Sequence, residues 1–137
     1  MRKKYHIPSG RIVFELLEET SLSNNIIAKE NIQKILDLGY SLSIDDFGTE
    51  CSNFAQLGTY TYESIKIDGK FIKDITTNKQ SLIITESILF FTSRVGFKTV
   101  AEFVHSKEVY DKVKELGITY AQGYYLGKPS AKLVHEQ

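Results

Sequence analysis

The sequence predicts an α/β fold built on a parallel sheet, and three observations carry that prediction. Helical patterns end three times in an apolar residue, a glycine and an apolar residue that opens a strand-like run: Leu38-Gly39-Tyr40, Val95-Gly96-Phe97 and Leu116-Gly117-Ile118. Glycine just past a helix supplies a left-handed C-terminal cap. A helix, a glycine stop and an immediate strand, repeated, punctuate parallel α/β chains. The strand-like runs also alternate between two faces, one of them apolar enough to meet a helix. The other face carries a polar residue near the C-terminal end of the strand, and in a parallel barrel those ends surround the active site.

The elements follow in order. Arg11 to Leu17 reads as the first strand. Ile26, Ile27, Ile32, Ile35, Leu36 and Leu38 then make the apolar face of a helix. Ser41 to Asp45 is the second strand, a short helix lies near Ser52 to Leu57, and Ser64 to Ile67 is the third strand. Ser81 to Val95 is a long helix, so apolar at Leu82-Ile83-Ile84 and Ile88-Leu89-Phe90-Phe91 that burial on more than one side is expected. Thr99 to Phe103 is the fourth strand, Ser106 caps a helix running to Leu116, and Tyr120 to Tyr124 is the fifth strand. Alternation sets Ser41, Ser43 and Asp45 against Leu42, Ile44 and Asp46. It likewise sets Ser64, Lys66 and Asp68 against Ile65 and Ile67, and Tyr120, Gln122 and Tyr124 against Ala121 and Gly123.

Composition narrows the classes. The chain has 137 residues, 42% apolar and 25% charged, as expected of one soluble domain with a core. Lysine plus arginine and aspartate plus glutamate both number 17, so no net charge draws it to a nucleic-acid polymer or an anionic membrane. The single cysteine, Cys51, excludes an internal disulfide and a cysteine-rich zinc site. No apolar run approaches the roughly 20 residues of a membrane span. Met1-Arg2-Lys3-Lys4 is not followed by the apolar stretch of a signal peptide, so the expected location is the cytoplasm.

The inward candidates, strand by strand, are Glu15, Asp45, Lys66, Glu102 and Gln122, with Asp46 and Glu18 just beyond two strand ends. Carboxylates converging on one mouth repel one another, and one or two divalent cations relieve that. All-oxygen ligands favour hard ions such as Mg²⁺, Mn²⁺ or Ca²⁺ over zinc. A lysine among the acids can orient a water or stabilise a phosphate oxygen, which together describes two-metal phosphoryl chemistry. Taken singly, an acid at a strand end is more often a solvated loop residue or a helix cap. Asp46-Phe47-Gly48 also occurs in protein kinases, but no glycine-rich nucleotide loop or catalytic-loop pattern accompanies it. His6 and His135 read as solvated surface, and Tyr60, Tyr62, Tyr124 and Tyr125 as packing or rim residues.

The order of the pieces decides between these readings. Phe14-Glu15-Leu16-Leu17-Glu18, Ile44-Asp45-Asp46-Phe47-Gly48-Thr49, Ile65-Lys66-Ile67-Asp68, Val100-Ala101-Glu102 and Ala121-Gln122-Gly123-Tyr124 with Lys128-Pro129 occur in this order. The set resembles the EAL-domain family of bacterial cyclic-di-GMP phosphodiesterases, from about Ile12 to Pro129. The resemblance implies a partial (β/α)₈ TIM-like barrel comprising about the last five strand–helix units, whereas a whole barrel typically needs about 250 residues. It implies hydrolysis of cyclic di-GMP to the linear dinucleotide with two Mg²⁺ or Mn²⁺ ions. Glu15 then matches a metal ligand, Asp45 the acid bridging both metals and Asp46 a ligand of the second. Lys66 matches the lysine at the attacking water, Glu102 and Gln122 match residues of the second metal's water shell and phosphate site, and Glu18 matches a glutamate bracing the loop after Asp45-Asp46.

Departures from the family pattern shape the expectations. The name-giving Glu-Ala-Leu motif and an asparagine ligand are absent from these 137 residues. Glu50 stands where the loop pattern has glycine, Phe103 replaces the glycine of Ala-Glu-Gly-Val-Glu, and His105 replaces its last acid. Residues 1–137 are therefore expected to be a truncated EAL domain, inactive as an isolated chain, in a phosphodiesterase of second-messenger signalling. The alternative is a degenerate module that binds cyclic di-GMP or a protein partner without catalysis. Because five strands cannot close an eight-stranded barrel, self-association or a complementary domain fragment is expected to cover the first strand's edge.

Overall fold

The computed structural model describes residues 2–18, 24–48 and 54–131. Five parallel strands form one sheet in sequence order: β1 (Val13–Leu17), β2 (Ser41–Phe47), β3 (Ser64–Ile67), β4 (Lys98–Ala101) and β5 (Tyr120–Ala121). The helices are α1 (Arg2–Tyr5), α2 (Ile26–Asp37), α3 (Gly69–Ile72), α4 (Lys79–Val95) and α5 (Lys107–Glu115), with short 3₁₀ turns at Ser9–Arg11 and Phe54–Thr59. Neighbouring strands in the chain are neighbours in the sheet, as successive strand–helix–strand units produce.

Local chemistry sets the boundaries. Asn25 caps α2 through its side-chain oxygen, which accepts from the Ile27 and Ala28 amides, and Asn78 does the same for α4 at Gln80 and Ser81. Ser106 caps α5 at Val109, as expected. The three helix-ending glycines, Gly39, Gly96 and Gly117, have φ of 77°, 82° and 75°, the left-handed conformation that their position requires.

The core lies between the sheet and the helices. Leu42, Ile44, Ile65, Ile67 and Ala101 from the strands are buried against Ile32, Ile88, Val109 and Val113 from the helices. Phe54 packs between Phe47 on β2, which it meets edge-on, and Phe91 on α4, with ring centroids 5.7 and 4.9 Å apart, and links the long helix to β2.

Several expectations are corrected. On α2 only Ile32, Ile35 and Leu36 pack inward, while Ile26 and Ile27 are 73% and 68% exposed and Leu38 is exposed too. On α4 the buried stripe is Ser81, Thr85, Ile88 and Thr92, flanked on both sides by half-buried Leu82, Ile84, Leu89 and Phe91, whereas Ile83 and Phe90 face outward. Arg11 sits in a 3₁₀ turn rather than in β1, and the short helix expected near Ser52 is a 3₁₀ turn beginning at Phe54. β4 stops at Ala101 and β5 at Ala121, so Glu102 and Gln122 lie one residue past their strands. The expected changes around Thr49 to Asn53 and the reading of His135 fall outside the described residues. Among the described residues β1 pairs with β2 alone and β5 with β4 alone, leaving the sheet open at both edges.

Candidate active site

The C-terminal ends of β1 to β4 bring four carboxylates around one ammonium. Lys66, on the central strand β3, is 8% exposed. Its Nζ lies 2.9 Å from Asp45 Oδ1, 3.0 Å from Glu102 Oε1 and 3.3 Å from Glu15 Oε2. The parallel register accounts for this meeting, because Glu15 pairs beside Ser43, Leu17 beside Asp45 and Lys66 beside Val100. Two residues earlier on the same face, the Ser43 and Ser64 hydroxyls lie 2.8 Å apart and form a polar layer beneath the charged one.

Asp46 departs from simple alternation, which would send it to the face opposite Asp45. Its φ is 53°, and the β2–β3 register is irregular between Ile44 and Phe47. The result is that oxygens of Asp45, Asp46 and Glu102 all lie within 4.8 Å of one another. A left-handed residue at a strand end is a local outlier of the kind that gathers at functional sites.

Electrostatics reflects the crowding. Partial burial, then repulsion from Asp45 and Asp68, holds the Asp46 carboxyl above the ordinary aspartate range. Burial likewise raises Glu102, against the opposing pull of Lys66. Burial alone would lower the Lys66 pKa, but the bonds to Asp45 and Glu102 more than reverse this and keep it an ammonium. One ammonium does not neutralise four carboxylates, and the surplus negative charge on closely spaced oxygens fits a hard divalent cation. Asp45, Asp46 and Glu102 are placed to hold it, with Glu15 alongside.

Glu18, immediately after β1, is 3% exposed, and its Oε2 accepts the Gly48 amide hydrogen at 3.1 Å. It thereby ties the end of β1 to the chain leaving Asp45-Asp46-Phe47. Gln122 is exposed and is not among the acids. Its backbone joins the segments after β4 and β5, with its amide donating to the Ala101 carbonyl at 2.9 Å and its carbonyl accepting from Val104 at 3.0 Å. Gln122 and Glu102 line a cavity of about 700 Å³ together with Lys70, Lys73, Phe103 and Tyr124. Sequence reasoning missed α3 and the contribution of Asp68, Lys70 and Lys73 to this wall. Asp68 before Gly69 was the available signal: its carboxylate caps α3 by accepting the Lys70 amide at 2.7 Å.

The profile of the EAL domain matches residues 1–129. The chain is 36% identical over 125 residues to cyclic di-GMP phosphodiesterase PdeB of Shewanella oneidensis, an alignment covering 91% of this chain and 15% of that protein. It superposes on the PaMucR phosphodiesterase in complex with c-di-GMP with a TM-score of 0.85 and 25% identity, covering 93% of this chain and 52% of that one. Against the FimX EAL domain from Pseudomonas aeruginosa bound to c-di-GMP, the TM-score is 0.80 at 28% identity, covering 94% and 53%. The chain belongs to the EAL domain family. It spans about half of these solved structures and a smaller share of the full-length relative. Among the described residues, no helix is long and apolar enough to cross a membrane.

Proposed function

We propose that this chain supplies the carboxylate–lysine part of a site that hydrolyses cyclic di-GMP to the linear dinucleotide. The observation that carries the reading is Lys66 held between Glu15, Asp45 and Glu102 with Asp46 beside them. Mg²⁺ or Mn²⁺, held by Asp45, Asp46, Glu15 and Glu102, would supply Lewis-acid neutralisation of charge on the phosphate. Lys66 keeps its three acids converged, its three N–H groups all directed at them, and its positive charge lies beside the place of an anionic phosphate oxygen. Glu102 orients water through its remaining lone pairs, and the Gln122 amide offers a neutral donor at the cavity wall. Glu18 fixes the direction of the chain after Asp45-Asp46 through Gly48, so both aspartates keep their place.

Residues 1–137 act as the C-terminal strand–helix units of an EAL barrel, and turnover requires ligands that they do not contain. Calorimetric titration with cyclic di-GMP, with and without Mn²⁺, beside a hydrolysis assay, tests this. Metal-dependent binding without turnover is the expected result. Hydrolysis at the rate of an intact family member would overturn the claim of inactivity, and absence of binding would overturn the substrate. Binding without metal would favour a receptor.

The open edge of β1, with Val13, Phe14 and Leu17 exposed and Ile26 and Ile27 exposed on α2, supports self-association or pairing with a complementary domain fragment. A monodisperse monomer by light scattering at micromolar concentration would count against self-association.

A further inference from the structure

Phe103 is the residue that folding leaves unexplained. It follows Glu102 directly, has a φ of 60° and is 59% exposed. Left-handed backbone suits glycine and penalises a bulky aromatic. An outward ring also contributes little buried apolar surface in return. The conformation is nevertheless well supported. The side chain packs over Gly69 at the start of α3, so closely that a Cβ on Gly69 would stand 2.6 Å from that of Phe103. The His105 ring meets it edge-on at 5.8 Å, and His105 Nε2 is held 2.8 Å from the Lys73 carbonyl.

We infer that Phe103 is a base-stacking platform in the 700 Å³ cavity beside the carboxylates, and that it sets a preference for ligands carrying a planar purine. The volume lies within the roughly 300–1,000 Å³ of small-molecule sites. Glu102 belongs to both the acidic cluster and the cavity wall, so a phosphate at the cluster leaves its attached nucleoside next to Phe103. Tyr124, 68% exposed, presents a second ring to the same cavity. Lys70 and Lys73 offset the charge of Asp68 and Glu102 on its wall, so an anionic ligand does not meet an acidic surface there. Exposed aromatics beside cationic side chains are the elements from which proteins build stacking surfaces for bases.

The inference rests on the substrate reading above, and the experiment separates the two. The 137-residue chain and its Phe103→Gly, Phe103→Leu and Phe103→Trp variants are titrated in Mn²⁺ with cyclic di-GMP, and separately with ribose 5-phosphate, which lacks the base. Thermal unfolding verifies each fold, and Phe103→Gly relieves the unfavourable φ. Phe103→Gly and Phe103→Leu should weaken cyclic di-GMP binding about tenfold, within the range for a lost base stack. Phe103→Trp should retain it, and ribose 5-phosphate should bind all four proteins alike. The Phe103 ring protons should shift upfield when the dinucleotide binds the wild type. Unchanged affinity in Phe103→Leu, or equal weakening toward ribose 5-phosphate, would overturn the platform alone. No binding of cyclic di-GMP to any of the four, wild type included, would overturn the substrate reading and the platform together.

Discussion

Replacing Lys66 with methionine removes the charge at the centre of the site and keeps most of the side chain's apolar volume. Two of its three partners are substantially buried, Asp45 with 25% and Glu102 with 17% of the side chain exposed, at 2.9 and 3.0 Å. Charged hydrogen bonds of this kind contribute roughly 1.5–3 kcal/mol each. Glu15 is 53% exposed at 3.3 Å, so its share is below about 1 kcal/mol. Methionine returns the desolvation cost of the ammonium but leaves the carboxylates facing one another. The net loss should be about 3 kcal/mol, at the lower end of the range for removing one member of a buried charge cluster. For a chain of this size that lowers the melting temperature by roughly 10 °C. Denaturant unfolding of wild type and Lys66→Met, both in EDTA, measures it. Adding Glu102→Gln in the Lys66→Met background should recover about 1 kcal/mol by removing one of the opposed charges. A Lys66→Met protein within about 0.5 kcal/mol of wild type would refute the reasoning, because the acids would then converge without the ammonium.

Three further outcomes are expected. Gly123→Ala would drive a Cβ into the Val104 carbonyl oxygen and nitrogen, so unfolding should show a loss above about 2 kcal/mol, whereas Gly127→Ala, with nothing within 4 Å among the described residues, should leave stability unchanged. Glu18→Ala frees the Gly48 amide, which should exchange with solvent faster by at least about tenfold in hydrogen-exchange NMR, with a stability loss of about 1–3 kcal/mol. Asp74 is held below the ordinary aspartate range by Ser81 and by the Asn78 amide, which donates to Oδ2 at 3.0 Å. A lowered folded-state pKa stabilises above the unfolded-state pKa, near 4, and that stabilisation is lost as pH falls through the folded value. The melting temperature of Asp74→Asn should therefore decline less steeply than that of wild type between about pH 5 and pH 2. Parallel curves would refute the assignment.

Much of this arrangement was legible in one dimension because it depends on short-range rules. Glycine after a helix and serine before one act within a turn of chain, so the strand–helix rhythm and all five strands could be read directly. Period-two alternation was equally local. It put Ser43 and Asp45 on one face of β2, and Ser64 and Lys66 on one face of β3, and these are the pairs that meet across the sheet. The order of the acidic motifs named the family. Alternation failed at Asp46, where a positive φ turns the chain, since nothing adjacent in the sequence demands that conformation.

The residue types at the strand ends were thus determined by the sequence alone, together with the parallel sheet that carries them. Which acids Lys66 binds was decided only by the tertiary structure, because distances between strands depend on register and twist across separations such as the 51 residues from Glu15 to Lys66. The outward placement of Ile26, Ile27 and Phe90 was decided there too. A helix pattern records how many apolar residues there are, but burial requires a neighbouring surface to cover them, and among the described residues these three positions are left exposed.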